Sequence, residues 1–295
     1  MLAAPPPTAR EAVVDVLHGE RVIDPYRWLE DGASERVRRW TDAQNERTRA
    51  FLDALPIRER FAARLRALMA VGLLDTPRLS AGRIFHLRRS GDQLQAALYV
   101  REGLAGADRM LVDPNGLDAS GLTTLDWYYP SPDARYVAYG LSHGGTELST
   151  LHVRDVASGE DLRDRIPHTR HASVAWVAGG FYYTAHPAPG AVPPGDEHYY
   201  RRLRFHRLGD DVAGDRLVFG EGRPKEDIIV VGGATEGRWI LVAAYQGWAR
   251  SDVYLIDHAA PLAAPAVVVE ARPALVRGDE DPASFRRAAD DDDVL

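Results

Sequence analysis

The sequence predicts a mainly β fold, in which a short N-terminal helical segment is followed by about four blades of a β-propeller. Three observations lead there. The hydrophobic period changes once, near residue 75, from helical spacing to alternation. The alternating runs are short and are separated by clusters of Gly, Pro, Asp and Ser. A turn-then-strand phrase then recurs, in SPDARYVAY (131–139), VAGGFYYTA (177–185) and ATEGRWILVAA (234–244), at intervals of about 45 to 60 residues, near the length of a four-stranded blade.

Taken in order, residues 34–55 place Val37, Trp40, Phe51 and Leu55 on one helical face. After Pro56, suited to a first helical turn, Ile57, Phe61, Leu65 and Leu68 repeat the pattern, so two amphipathic helices are expected to open the fold. Aromatic residues at that spacing read as packing rather than as ligand contacts. From Pro77 onward the expected strands include residues 83–87, 96–100, 135–141, 148–156, 180–186, 203–208, 238–245 and 251–257. Residues 258–268, HAAPLAAPAVV, read as a connection between blades, and 272–295 abandon the strand pattern as an acidic tail. The segments are therefore 1–75 helical, 76–271 partial propeller and 272–295 divergent.

Composition excludes several functions. The 295 residues are 45% hydrophobic, enough for a sizeable core. With 43 acidic against 36 basic side chains, the net charge is -7, which disfavours a nucleic-acid-coating surface. Cysteine is absent, so no disulfide, thiol nucleophile or thiolate metal site is expected, and a cytoplasmic location fits. The first twenty residues carry prolines where a signal peptide needs an apolar run, and no segment approaches about 18 uninterrupted apolar residues. No membrane contact is expected.

GLSHG (140–144) spells the G-x-S-x-G pattern of a nucleophile elbow around Ser142. An elbow needs a helix after the serine, whereas the sequence continues into HGGTELSTLHVRDV, a hairpin returning as a strand. Ser142 is accordingly read as a strand residue. HTRH (168–171) lacks a third metal ligand at a telling spacing, and the aspartates 290–293 lack the spaced ligands of a calcium loop, so no cofactor is expected. YYRRLRFHR (199–207) mixes basic and aromatic residues, but its alternation is that of a half-buried strand, with Leu203 and Phe205 on one side and Arg204 and His206 on the other.

DPYRWLED (24–31), AQN (43–45) and PIR (56–58), then LYV (98–100), LVDPN (111–115), SPD with YVAYGLS (136–142) and the pair Ala175–Trp176, fall in the order seen in prolyl oligopeptidases. Over residues 10–258 the chain resembles that family of serine peptidases. The resemblance implies N-terminal helices that belong to an α/β-hydrolase domain, with a seven-bladed propeller inserted before the rest of it. The propeller then gates access for short proline-containing peptides, cleaved after proline by serine acyl transfer. The family's catalytic serine, aspartate and histidine match no position here, so this chain is expected to be inactive alone and to need the missing hydrolase domain as its partner. It also implies that His171 and Trp248 fall where the propeller projects side chains toward bound peptide, although ordinary loop residues are equally compatible with those positions. A stand-alone propeller binding peptides or proteins is the alternative, and an esterase using Ser142 a third reading that the missing helix opposes.

Overall fold

In a computed structural model, residues 4–233, 237–259 and 266–269 are described. The acidic tail and the aspartate run lie outside them. The chain divides into two compact units, Met1–Val71 and Gly72–Leu295.

The first unit does not open with helices. Strands β1 (Val14–Leu17) and β2 (Glu20–Ile23) form a hairpin. Its turn residues, His18 and Gly19, both have positive φ, 52° and 84°, the geometry that matches strand twist in a two-residue loop. The runs are four residues each, too short for their alternation to stand out in the sequence. Two helices follow, α1 (Glu35–Asp53) and α2 (Arg58–Met69). Ser34 caps α1, its hydroxyl accepting from the Val37 amide at 3.2 Å.

The DPYRWLED block joins hairpin to helix. Asp24 accepts from the Tyr26 amide and from Arg27, and Arg27 also pairs with Asp15 on β1. The Trp28 indole donates to the Ala9 carbonyl and meets Trp40 of α1 edge-to-face at 6.2 Å, with the Arg36 guanidinium 4.0 Å over its ring. Of the expected helical face only Val37 is buried, and Phe61, Leu65, Leu68 and Met69 leave α2 with an exposed apolar stripe.

Among the described residues the second unit is four antiparallel sheets in chain order. The first blade combines β3 (Leu73–Leu74) and β4 (Arg78–Ser80), both paired to β5 (Arg83–Arg89), with β6 (Ala97–Glu102) and β7 (Arg109–Val112). A four-residue helix, α3 (Pro114–Leu117), leads to the second, which runs β8 (Thr123–Pro130), β9 (Tyr136–His143), β10 (Thr150–Asp155), β11 (Asp161–Ile166). The third runs β12 (Val174–Val177), β13 (Gly180–Ala185), β14 (Arg202–Arg207), β15 (Arg216–Phe219). The fourth runs β16 (Ile228–Gly233), β17 (Trp239–Gln246), β18 (Arg250–Asp257), β19 (Ala266–Val269). The last strand corrects the reading of 258–268 as a connection: Ala266–Val269 pairs with β18 and closes the blade.

Each adjacent pair of sheets shares one apolar layer. Phe85 and Leu98 of the first blade meet Val137 and Tyr139 of the second; Leu151 and Val153 of the second meet Phe181 and Tyr183 of the third; Tyr182 and Leu203 of the third meet Ile229 and Ile240 of the fourth. Inner blades are thus buried on both faces, which period-2 sequences report only weakly. At β14 this corrects a sequence expectation. Leu203 and Phe205 do face one layer, but His206 on the other side is 1% exposed, because that face packs against the second blade and the Phe181 ring. On β17 the side away from the third blade leaves Trp239, Leu241 and Tyr245 exposed.

Candidate functional site

Antiparallel order puts the turn between the second and third strands of a blade at the same end as the loop to the next blade. Residues 144–149, 167–173, 186–201, 220–227 and 247–249 all emerge at this end. Backbone bonds tie them together: Thr169 donates to Ser149, His186 to His168, and Tyr200 to Lys225. His171 and Trp248 both belong to this loop end.

His171 sits in a tight turn, with φ of 47° after 62° at His168. Buried Thr169 anchors the turn, its amide and hydroxyl both donating to the Ser149 carbonyl. The His171 Nε2 lies 3.1 Å from a Glu147 oxygen that Arg170 also reaches at 2.8 Å. The Arg170 bond first, and then the charge of His171, hold the Glu147 carboxyl below its ordinary pKa. Trp248 lies on the β17–β18 turn with its ring fully exposed.

A cavity of about 260 Å³ opens among these loops. His171 lines it with Arg170, His186, His198 and Arg201. Lys225, Glu226 and Asp227 also line it, and Trp248 is not among the lining residues. Sequence reasoning passed over most of this group. In HTRH the sequence marks only His171 as facing peptide, and among the described residues no group of three or more metal-ligating side chains is assembled. Arg201 was hidden at the start of a strand-like run. Three loops, two flanking the third blade and one within it, converge here, and no local pattern marks that convergence.

Ser142 is placed where the sequence argument put it, within β9, 5% exposed. Its hydroxyl donates to Asp126 at 3.0 Å and lies 3.1 Å from Thr124, with no histidine among these partners. The two glycines of GLSHG serve packing and turning. A Cβ on Gly140 would come within 2.4 Å of the Trp127 ring on β8, while Gly144 and Gly145 take φ of 64° and 71° in the hairpin turn.

The family description "Prolyl oligopeptidase, N-terminal beta-propeller domain" matches residues 5–281. The chain belongs to the prolyl oligopeptidase family. Among curated proteins it is 26% identical over 257 residues to a prolyl endopeptidase of Elizabethkingia meningoseptica, covering 85% of this chain and 36% of that protein. It is 28% identical over 285 residues to prolyl oligopeptidase A of Galerina marginata, covering 85% and 38%. A solved prolyl endopeptidase structure, from work on inter-domain dynamics in catalysis and specificity, superposes with a TM-score of 0.83 at 33% identity, over 91% of this chain and 40% of its own. Prolyl oligopeptidase B from Galerina marginata, solved with a 35-residue substrate, shares the fold at TM-score 0.73 and 23% identity, over 86% and 40%. The chain spans little more than a third of the length of these prolyl oligopeptidase relatives, and the matched part is the propeller portion. Among the described residues no helix is long and apolar enough to cross a membrane.

Proposed function

We propose that this chain is the N-terminal and propeller, substrate-gating portion of a serine endopeptidase that cleaves short peptides after proline. In this reading residues 1–75 serve the hydrolase domain and 76–271 form part of the gating ring. The catalytic groups come from the hydrolase domain, so the chain alone is inactive. The observation that carries the reading is the family match over residues 5–281, together with a loop end that gathers His171, Trp248 and a polar cavity at one side of the blades. Ser142 is a structural hydroxyl in this reading, since it is buried on a strand and bonded to Asp126.

The test is a chimera. Blades contact mainly their neighbours, so residues 1 to about 270, through the closing strand β19, can be joined to the remaining blades and hydrolase domain of a relative with few new contacts to satisfy. The chimera is expected to hydrolyse a proline-containing peptide amide, while the chain alone gives no turnover above background. Turnover by the chain alone that Ser142→Ala abolishes, or a folded chimera with no proline preference, would sink the proposal.

A further inference from the structure

Among the described residues, the loop-end cavity holds one guanidinium, that of Arg201, with no ion-paired carboxylate. Arg201 precedes β14, half-buried, and its guanidinium donates to the Arg170 carbonyl at 3.2 Å. Among the described residues no carboxylate lies within ion-pairing distance of it, whereas the neighbouring cations are matched. Arg170 has Glu147, Lys225 has Asp196 at 2.7 Å, and Arg223 has Asp227 and Asp252. Burial first, and then the charge of Arg170, push the Arg201 pKa down. At His186 burial, followed by Arg201, Arg170, His198 and His171, lowers the pKa to about 4, so this ring is neutral at pH 7 in a positive field. Among the described residues, two buried nitrogens of this cavity, Arg170 Nε and His186 Nδ1, have no hydrogen-bond partner. A guanidinium drawn out of water without a counter-ion is costly, and such a group beside an open cavity calls for an anion.

We propose that this cavity is a carboxylate site, in which Arg201, backed by Arg170, receives the free C-terminal carboxylate of a short peptide. The guanidinium fork matches a planar carboxylate with two parallel hydrogen bonds. Glu226 and Asp227 also line the cavity, which favours a singly charged ligand over a dianion such as phosphate. The space of about 260 Å³ holds a carboxylate with roughly one residue behind it, leaving the rest of a peptide along the loops toward His171. The inference rests on the gating proposal only in requiring that short peptides reach this end.

The experiment titrates the full chain by calorimetry with N-acetyl-Gly-Pro-Ala as the free acid, with its C-terminal amide, and with N-acetyl-Gly-Pro-Asp amide. The free acid is expected to bind about tenfold or more tightly than the amide, the difference that one well-formed charge-assisted pair supplies. Arg201→Gln is expected to erase that preference, whereas Lys225→Gln, whose cation is already matched, is expected to keep it. If the aspartyl amide binds as well as the free acid, the carboxylate site stands and accepts side chains too. Equal affinities for acid and amide on the wild-type chain overturn the proposal without any variant, as does a preference that survives Arg201→Gln. Failure to bind either peptide also overturns it, and proline-directed turnover by the chimera then decides separately whether the gating reading survives.

Discussion

His206→Gln is expected to loosen the third blade more than any other single change on β14. The imidazole lies between two carboxylates, Nε2 2.8 Å from Asp164 and Nδ1 2.8 Å from Asp215, with side chains only 1%, 1% and 3% exposed. A neutral ring can donate at one nitrogen only, and two ionised partners call for the imidazolium. Burial works against that charge, but the bonds and charges of Asp215 and Asp164 outweigh it, and the His206 pKa is raised. In the variant the two buried carboxylates lose the cation that lies between them. Asp215 keeps the Tyr183 hydroxyl at 2.7 Å and Asp164 keeps the Gly209 amide at 2.6 Å.

Removing one member of a buried pair costs about 3–5 kcal/mol, and these retained donors place the loss near the lower end, about 3 kcal/mol. That is roughly a hundredfold or more in the local opening equilibrium. Amide hydrogen exchange of residues 202–219, with β6 as internal control, reads it even where molecules associate. The pH dependence has a definite sign. A raised folded-state pKa means the contribution is complete below the unfolded value, about 6.5, and fades as pH climbs through the folded one. Wild-type protection of this segment, corrected for intrinsic exchange rates, should therefore fall as pH rises past that window, and the variant should lack this component. An effect under about fivefold, or a variant retaining the wild-type pH profile, would refute the reasoning.

Gly140→Ala is expected to destabilise by about 1–3 kcal/mol through the clash with Trp127, read by thermal melting of the chimera. Ser142→Ala should cost about 1 kcal/mol, because Asp126 still holds Ser149, and should leave peptide turnover unchanged; a larger loss for Ser142→Ala than for Gly140→Ala would contradict this packing. His171→Ala or Trp248→Ala in the chimera is expected to raise KM with kcat unchanged, and an unaltered KM in both would remove them from the peptide path. The chain alone should self-associate through the apolar side of β17 and the stripe on α2, and sedimentation velocity should show oligomers that Leu241→Lys reduces; a monodisperse wild-type monomer would overturn it.

Much of this was legible residue by residue. The helices, the second and third strands of the blades and the false elbow at Ser142 all depend on local spacing and on which turns Gly, Pro and Asp permit. GLSHG could be dismissed because the two glycines and the alternation after Ser142 exclude a helix whatever surrounds them. The hairpin at β1 and β2 was missed because four-residue strands carry too little period to register. The closing strand β19 was missed for a related reason: its Ala-Val run has no polar alternation and follows prolines, so it resembled a linker.

Charges were read least well. Nothing around His206 in the sequence says that it is buried, because Asp164 stands 42 residues away on the preceding blade and only stacking brings them together. The same holds for Arg201, which among the described residues has no carboxylate partner, a feature that becomes visible when three loops close around it. Hydrophobic periodicity acts between near neighbours along the chain, so the sequence by itself determined the blades and the turns that end them. A buried charge is settled by whatever side chain another blade places within a few ångströms, so the ion pairs and the loop-end cavity were decided only by the tertiary structure.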